Sequence, residues 1–336
     1  MTDDPGGNAT DVVIAARDAA DTIGGAVQSA LLQPETASVI VVNDGSRDET
    51  ARAAIAAADA LGASQRLTVL RAGGNGPAAA RNRAIASSHA PFVAVLDADD
   101  AFLPGRLQAL HAARQRAGGR DIVADDIAFV SAHAPVRPGS QDVAEPGRLS
   151  TELTLAAFVD GNRTVRGRPR GELGFLKPVF SRAFLDRHAL RYREDMRLGE
   201  DFDLLARALA LGARMELVER VGYAALVRAD SLSARHRTVD LERLWRACAA
   251  LCDDPAVPVA ARGPLRAHAR EIEARWRHRL FLDERRSRGT LGAGLRTPAR
   301  CLPAIAMAIL RDKLGDRRQI GMTIAGRTLL TGRRDR

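Results

Sequence analysis

The chain predicts an α/β fold: a mainly parallel, Rossmann-like sheet with helices on both faces, followed by a helical C-terminal extension. Three observations predict it. Short apolar runs alternate with segments of helical period in units of roughly 30 residues, the spacing of strand-helix-strand crossovers. Two of the apolar runs stop abruptly in polar or acidic residues, at Asn43-Asp44-Gly45-Ser46 and at Asp97-Ala98-Asp99-Asp100. Beyond residue 233 the pattern turns helical, rich in arginine and poor in acids.

Residues 11–16 read as a short buried strand, and residues 21–32 as a helix with Thr22, Ile23, Ala26, Val27 and Ala30 at helical spacing. Residues 39–42 form a second strand, and 48–61 an alanine-rich helix with a capping-type start. The third strand covers 67–70. The third helix, 77–88, opens with Pro77 at a favoured first position. Residues 92–96 make the fourth strand, followed by a helix over 107–116 and a strand over 122–130. Residues 133–150 are rich in Pro, Gly and polar groups, and 161–171 carry Arg163, Arg166, Arg168 and Arg170; both read as loops. Order resumes over 178–185 and again at Gly199-Glu200-Asp201, which opens a helix to Leu211. The expected division is a sheet domain over residues 1–235 and an arginine-rich helical extension over 236–336.

Size and composition bound the function. A chain of 336 residues, 46% apolar, buries a substantial core. The net charge of +9 is uneven: from residue 235 onward 23 basic side chains face 11 acidic ones, and the preceding part holds 27 against 30. Cys248, Cys252 and Cys301 are too few and too badly spaced for a disulfide scaffold or a zinc site, which points to a reducing, cytoplasmic setting. Residues 1–10 lack the basic start and apolar core of a signal peptide. The apolar run 301–310 is half the length that crosses a bilayer. A basic nucleic-acid-binding protein is one alternative, since a pI near 10.6 suits phosphate backbones. With only 4% aromatics, no recognised nucleic-acid module and an acidic sheet mouth, no nucleic-acid partner is expected.

The acidic cluster carries the chemistry. Asp97, Asp99 and Asp100 lie directly after an apolar strand, where active sites of such sheets are found. Carboxylates packed this closely repel unless a cation or basic side chains share the site, and hard cations such as Mg²⁺ and Mn²⁺ take oxygen ligands and bridge phosphates. A plainer use for Asp99 and Asp100 is to cap the helix near Pro104. A third reading is an NAD(P)-dependent oxidoreductase, because Gly74-Asn75-Gly76-Pro77-Ala78-Ala79 matches the dinucleotide fingerprint and Asp97 follows at its usual interval. That match falls in the third strand-helix unit rather than the first, and a ribose hydroxyl has no need of three carboxylates.

The order and spacing of Val39 to Thr50, of Gly76 to Ile85 with Ala80-Arg81-Asn82, of Leu96-Asp97-Ala98-Asp99-Asp100 and of Gly199-Glu200-Asp201 resemble the family 2 inverting glycosyltransferases with a GT-A fold. Within that family the resemblance is to bacterial exopolysaccharide glucosyltransferases of the succinoglycan type, and it covers residues 11 to about 235. It implies transfer of a sugar from a UDP-sugar, UDP-glucose by family habit, to a hydroxyl with inversion at the anomeric carbon. Carried over by residue, Asp44 contacts the donor base, Asp97 and Asp99 form the DxD pair at ribose and metal, Arg81 serves the diphosphate or ribose, and Asp201 is the base, with Glu200 as its substitute. His236 lies where some such enzymes supply a further ligand to Mn²⁺ or Mg²⁺. The first strand departs from the family's Pro-x-Tyr-Asn ending, running Ile14-Ala15-Ala16-Arg17-Asp18, so Ala16, Arg17 and Asp18 must meet the nucleotide without an aromatic. The implied acceptor is a lipid-diphosphate-linked saccharide at the inner face of the cell membrane. The tail helices, with Leu244, Trp245, Cys248, Leu251, Leu302, Ile305 and Ile309 at helical spacing, suit an anionic membrane surface, an ordinary capping bundle over the catalytic sheet or a homo-oligomer contact.

Overall fold

The computed structural model describes residues 7–131, 150–164, 172–227, 237–296 and 327–329, with side chains for all of these except 288–296 and 327. The elements follow in chain order. They are β1 (Thr10–Ala16), α1 (Ile23–Leu31), β2 (Thr36–Asp44), α2 (Thr50–Asp59), β3 (Leu67–Ala72), α3 (Pro77–Ala86), β4 (Phe92–Asp97), β5 (Ala101–Phe102), α4 (Arg106–Arg116) and β6 (Ile122–Ser131). Then come β7 (Ser150–Glu152), α5 (Leu155–Gly161), β8 (Val179–Ser181), α6 (Arg182–Arg187), α7 (Glu200–Ala210), β9 (Met215–Val227), α8 (Thr238–Cys252), α9 (Val259–Arg296) and β10 (Arg327–Thr328).

One sheet runs in the order β3-β2-β1-β4-β8-β6-β9-β5, with β10 on β6 and β7 on β9. Strands β3, β2, β1 and β4 are parallel to their neighbours. β8 is antiparallel to both β4 and β6, and β9 is again parallel to β6. The main strands therefore point one way, as the strand-helix alternation predicts, and the short strands run against them. β1 is central and Val12, Val13 and Ile14 are fully buried, which is why it reads as an unbroken apolar run.

Boundaries shift where side chains take on tertiary work. β2 starts at Thr36, before the apolar run, because Ser38 Oγ donates to the buried Asp11 Oδ1 at 2.7 Å and the polar start pairs with β1. α2 starts at Thr50, since Asp48 instead accepts the Ala20 N–H at 2.9 Å and ties the turns after β1 and β2 together. Asp99 and Asp100 do not cap α4. Its N-cap is Gly105 at φ +68, and Asp100 turns to β9.

In the described part of the tail, α8 follows the capping-bundle alternative rather than the membrane-surface one. The tail's helical run is broken between α8 and α9, where Pro255 and Pro258 interrupt it. Leu244, Cys248 and Leu251 are buried in the core shared with the sheet domain, and Trp245 stacks on Trp276 with centroids 4.7 Å apart. This stripe of α8 is spent on internal packing and is not available to a membrane. Leu302, Ile305 and Ile309 lie outside the described residues. Among the described residues no helix is long and apolar enough to cross a membrane.

Candidate active site

The carboxyl ends of β2, β1 and β4 lie side by side, with Ala16 opposite Asn43 and Ala15 opposite Asp97. At the end of β2, Asp44 is buried and both of its oxygens are occupied by backbone. The N–H groups of Gly74 and Asn75 donate to Oδ1 at 2.9 Å each, and that of Gly76 donates to Oδ2 at 2.7 Å. Gly74 and Gly76 take φ of +85 and +101, values that turn three successive N–H groups onto one carboxylate. This disposes of the dinucleotide reading: the N–H cradle that a pyrophosphate would need already holds Asp44. It also makes Asp44 the anchor of the 73–76 loop.

Arg81, on α3, is buried among three acids from two elements, β4 and α7. Its Nη2 meets Asp97 Oδ1 at 2.7 Å, and its Nη1 meets Glu200 Oε1 at 3.0 Å and Asp201 Oδ1 at 3.6 Å. Its guanidinium lies 5.4 Å from the Tyr192 ring centroid. Burial opposes its charge, but Asp201 and Asp97 outweigh that and raise its pKa well above the ordinary range. Its Nε is buried and finds no acceptor among the described residues, which leaves one N–H for a ligand.

Lys177 completes the cluster, and sequence reasoning did not include it. Its Nζ stands 2.8 Å from Asp97 Oδ2 and 2.7 Å from Asp201 Oδ2. Burial again works against the ammonium, while Asp201 and Asp97 raise its pKa above the usual lysine range. Asp97 is held well below the usual carboxylate range. Its burial acts the other way, and the charges of Lys177 and Arg81 win.

Asp201 and Glu200 sit in the first turn of α7, where the helix dipole favours acids. Gly199 before them has φ +72, and a Cβ there would come within 2.7 Å of Leu244 Cδ1, so α8 seats directly against the turn that presents both acids. Asp203 points elsewhere and pairs with Arg207 at 2.8 Å.

Tyr223 on β9 also went unread in the sequence. Its hydroxyl oxygen accepts the Asp97 N–H at 3.1 Å and its O–H donates to Asp100 Oδ2 at 2.7 Å, while Asp100 Oδ1 accepts the Leu226 N–H at 2.9 Å. Burial, and after it the charges of Asp97 and Asp99, raise Asp100 to about 7 in spite of those bonds. Asp99 beside it is half-buried. An acidic loop with a carboxyl raised in this way fits a divalent cation, whose charge would relieve the repulsion. Among the described residues no group of three or more His, Cys, Asp or Glu side chains is arranged to hold a metal ion by itself; Mg²⁺-type ions typically bind through one or two carboxylates together with substrate phosphates, and Asp99 is the carboxylate that could take part in such a site. Asp97 has each of its oxygens engaged by a cationic side chain, which leaves it poorly placed for direct metal ligation.

The remaining candidates are looser. Ala16 is buried. Arg17 and Asp18 are half exposed and pair weakly at 3.8 Å. Asp18 Oδ1 accepts the Arg47 N–H and its own N–H donates to Ser46 Oγ, so this residue joins the two turns that rim the site. His236 lies outside the described residues.

Residues 11–166 match the family described as Glycosyl transferase family 2. The chain is 49% identical over 308 residues to the succinoglycan biosynthesis protein ExoU of Rhizobium meliloti, an alignment that spans 90% of this chain and 87% of that protein. This chain belongs to glycosyl transferase family 2. The succinoglycan biosynthesis protein ExoO of the same organism is 39% identical over 66% of this chain and 61% of its own length. Among solved structures, this glycosyltransferase shares its fold with S. aureus TarS 1-349 in complex with UDP, at TM-score 0.56, 19% identity and coverage of 88% and 77% of the two chains. It also shares it with the mannosyltransferase PcManGT from Pyrobaculum calidifontis in complex with GDP-Man and Mn²⁺, at TM-score 0.53, 19% identity and coverage of 91% and 80%. The GT-A architecture is thus common to all three chains.

Proposed function

We propose that this glycosyltransferase moves one sugar from a UDP-sugar, UDP-glucose by preference, to a hydroxyl of a lipid-diphosphate-linked glycan, with inversion, in succinoglycan-type exopolysaccharide assembly at the cytoplasmic membrane face. The observation that carries the reading is the convergence of Asp97, Glu200 and Asp201 on Arg81 and Lys177 at the carboxyl ends of the parallel strands. The 49% identity to a succinoglycan biosynthesis protein supports the pathway, and the UDP complex of a chain with the same fold supports the donor.

In this reading Asp44 and the 73–76 loop border the donor base, Arg17 and Asp18 rim it, Asp97 takes a ribose hydroxyl, and the unspent Nε–H of Arg81 turns to donor oxygen. Asp99 would hold Mn²⁺ or Mg²⁺, which supplies positive charge for the departing diphosphate. Asp201 accepts the proton of the acceptor hydroxyl as its oxygen bonds to the anomeric carbon from the face opposite the diphosphate. The anomeric C–O bond then breaks, and the nucleoside diphosphate leaves with the electron pair. Glu200, bound to Arg81, orients this turn and is the alternative base.

Titration calorimetry of the purified protein with UDP, with and without Mn²⁺, tests the donor site. Metal-dependent binding that Asp99→Ala abolishes is the expected result. Absence of UDP binding under both conditions, or transfer from UDP-glucose that survives both Asp99→Ala and Asp201→Asn, would overturn the assignment.

A further inference from the structure

The Lys177 ammonium joins carboxylates from two different elements, Asp97 at the end of β4 and Asp201 at the start of α7, at 2.8 and 2.7 Å. The residue is buried at 7% exposure just before β8. Its place is built rather than incidental. The Arg106 Nη2–H donates to the Lys177 carbonyl. Arg106 is itself fully buried, gripped by both oxygens of Asp125 and flanked by the Phe102 and Tyr223 rings at 4.4 and 5.2 Å. Lys177 is also one of two lysines in a chain whose 50 basic residues are otherwise arginine. A compact ammonium with three rotatable donors fits between two facing carboxylates, whereas a guanidinium presents a broad planar fork.

We propose that Lys177 is the positioning residue of the base: its ammonium fixes the Asp201 carboxylate and joins it to Asp97, so that the donor and acceptor halves of the site are held as one unit. The charged and titratable groups facing Asp201 are Lys177, Arg81 from α3, Tyr192 from the segment before α7, Glu200 from its own helix and, across Lys177, Asp97 from β4. Two cations thus serve three acids. Without Lys177, Arg81 alone would face Asp97, Glu200 and Asp201, and Asp201 would lose its 2.7 Å partner. Assigning Asp201 as base rests on the function proposed above; the Lys177–Asp201 coupling does not.

The test needs neither substrate nor metal. In protein labelled with ¹³C at the aspartate carboxyl, the Asp201 signal is identified by its loss in Asp201→Asn and recorded at pH 7 in wild type, Lys177→Met and Lys177→Arg. The expected result is one sharp line in the wild type that shifts and broadens in Lys177→Met as the carboxylate loses its fixed partner, with Lys177→Arg, which keeps the charge but not the compact ammonium, leaving the line displaced from the wild-type position. Should Lys177→Met not fold, Lys177→Gln takes its place. A folded neutral variant with an unmoved Asp201 signal overturns the proposal. UDP calorimetry on the same samples separates the two claims: absence of UDP binding by the wild type defeats the function proposed above, while an unmoved Asp201 signal defeats the role of Lys177.

Discussion

Tyr223 reaches from β9 into the acidic loop after β4, where its hydroxyl donates to Asp100 Oδ2 at 2.7 Å and accepts the Asp97 backbone N–H at 3.1 Å. One phenol thereby sets the height of the loop that carries Asp97, Asp99 and Asp100. Tyr223→Phe removes both bonds, leaves Asp100 with the Leu226 N–H alone, and changes little in volume. A hydrogen bond to a charged group contributes about 1.5–3 kcal/mol. Mn²⁺-dependent UDP binding is expected to weaken roughly tenfold, which corresponds to about 1.4 kcal/mol, and calorimetry reads it directly. Unchanged affinity would mean that the loop holds its place without the phenol.

Behind Tyr223, Gly222 allows the buried Arg106–Asp125 pair to form. A Cβ at Gly222 would stand 1.9 Å from Asp125 Oδ2 and 2.8 Å from Arg106 Cγ. Gly222→Ala must therefore displace a carboxylate whose partner has no route to water. Overpacking costs about 1–3 kcal/mol, and breaking a buried pair about 3–5 kcal/mol. The expected result is a fall in unfolding free energy of about 3 kcal/mol or insoluble expression, measured by urea denaturation. Gly25→Ala, where a Cβ meets nothing within 4 Å, is the control that should cost little.

The parts of this site that were legible in the sequence share one property: each stands where a strongly patterned element ends or begins. Asp44 and Asp97 close apolar strands, Arg81 follows Pro77 into α3, and Glu200 and Asp201 open α7. Lys177 and Tyr223 have no such marker. Lys177 precedes a strand of only three residues, and Tyr223 sits inside a long apolar strand where an aromatic reads as core. The role of Asp44 was hidden for another reason, because convergence of three N–H groups depends on φ at Gly74 and Gly76, which composition does not reveal. The α8 stripe illustrates a limit of periodicity itself. Leu244, Cys248 and Leu251 would be spaced identically on a membrane-facing helix and on one that packs against Gly199.

Arg81 is the contact shared by all three acids of the cluster, so its shape matters as well as its charge. Arg81→Lys keeps one positive charge but cannot present Nη1 to Glu200 and Asp201 and Nη2 to Asp97 together. Sugar transfer is expected to fall by at least roughly a hundredfold, about 2.7 kcal/mol, with the loss mostly in kcat. Arg81→Ala is expected to lower stability as well, by about 3 kcal/mol, since it strands buried carboxylates. Kinetics with UDP-glucose and a thermal melt distinguish the two variants.

The pH dependence of stability has a separate source at the opposite end of β1. His111 on α4 is buried, lies 2.8 Å from Thr10 Oγ1, and meets Phe92 edge-on with centroids 4.8 Å apart. Burial, aided by the charge of Arg114, pushes its pKa down to about 4, against 6.5 for an ordinary histidine. Below pH 6.5 the unfolded chain takes up a proton at this position that the folded chain refuses, so the unfolded state binds more protons and stability falls with pH. The loss grows between pH 6.5 and 4 and is complete below the folded value, reaching about 3 kcal/mol. Above pH 7 the contribution is fully present. His111→Gln can still hydrogen-bond to Thr10 and does not titrate. Unfolding free energies from urea at pH 7, 6, 5 and 4 are expected to drop more steeply for the wild type than for the variant, with the gap between them closing toward pH 4. Parallel curves would show that another group governs this window.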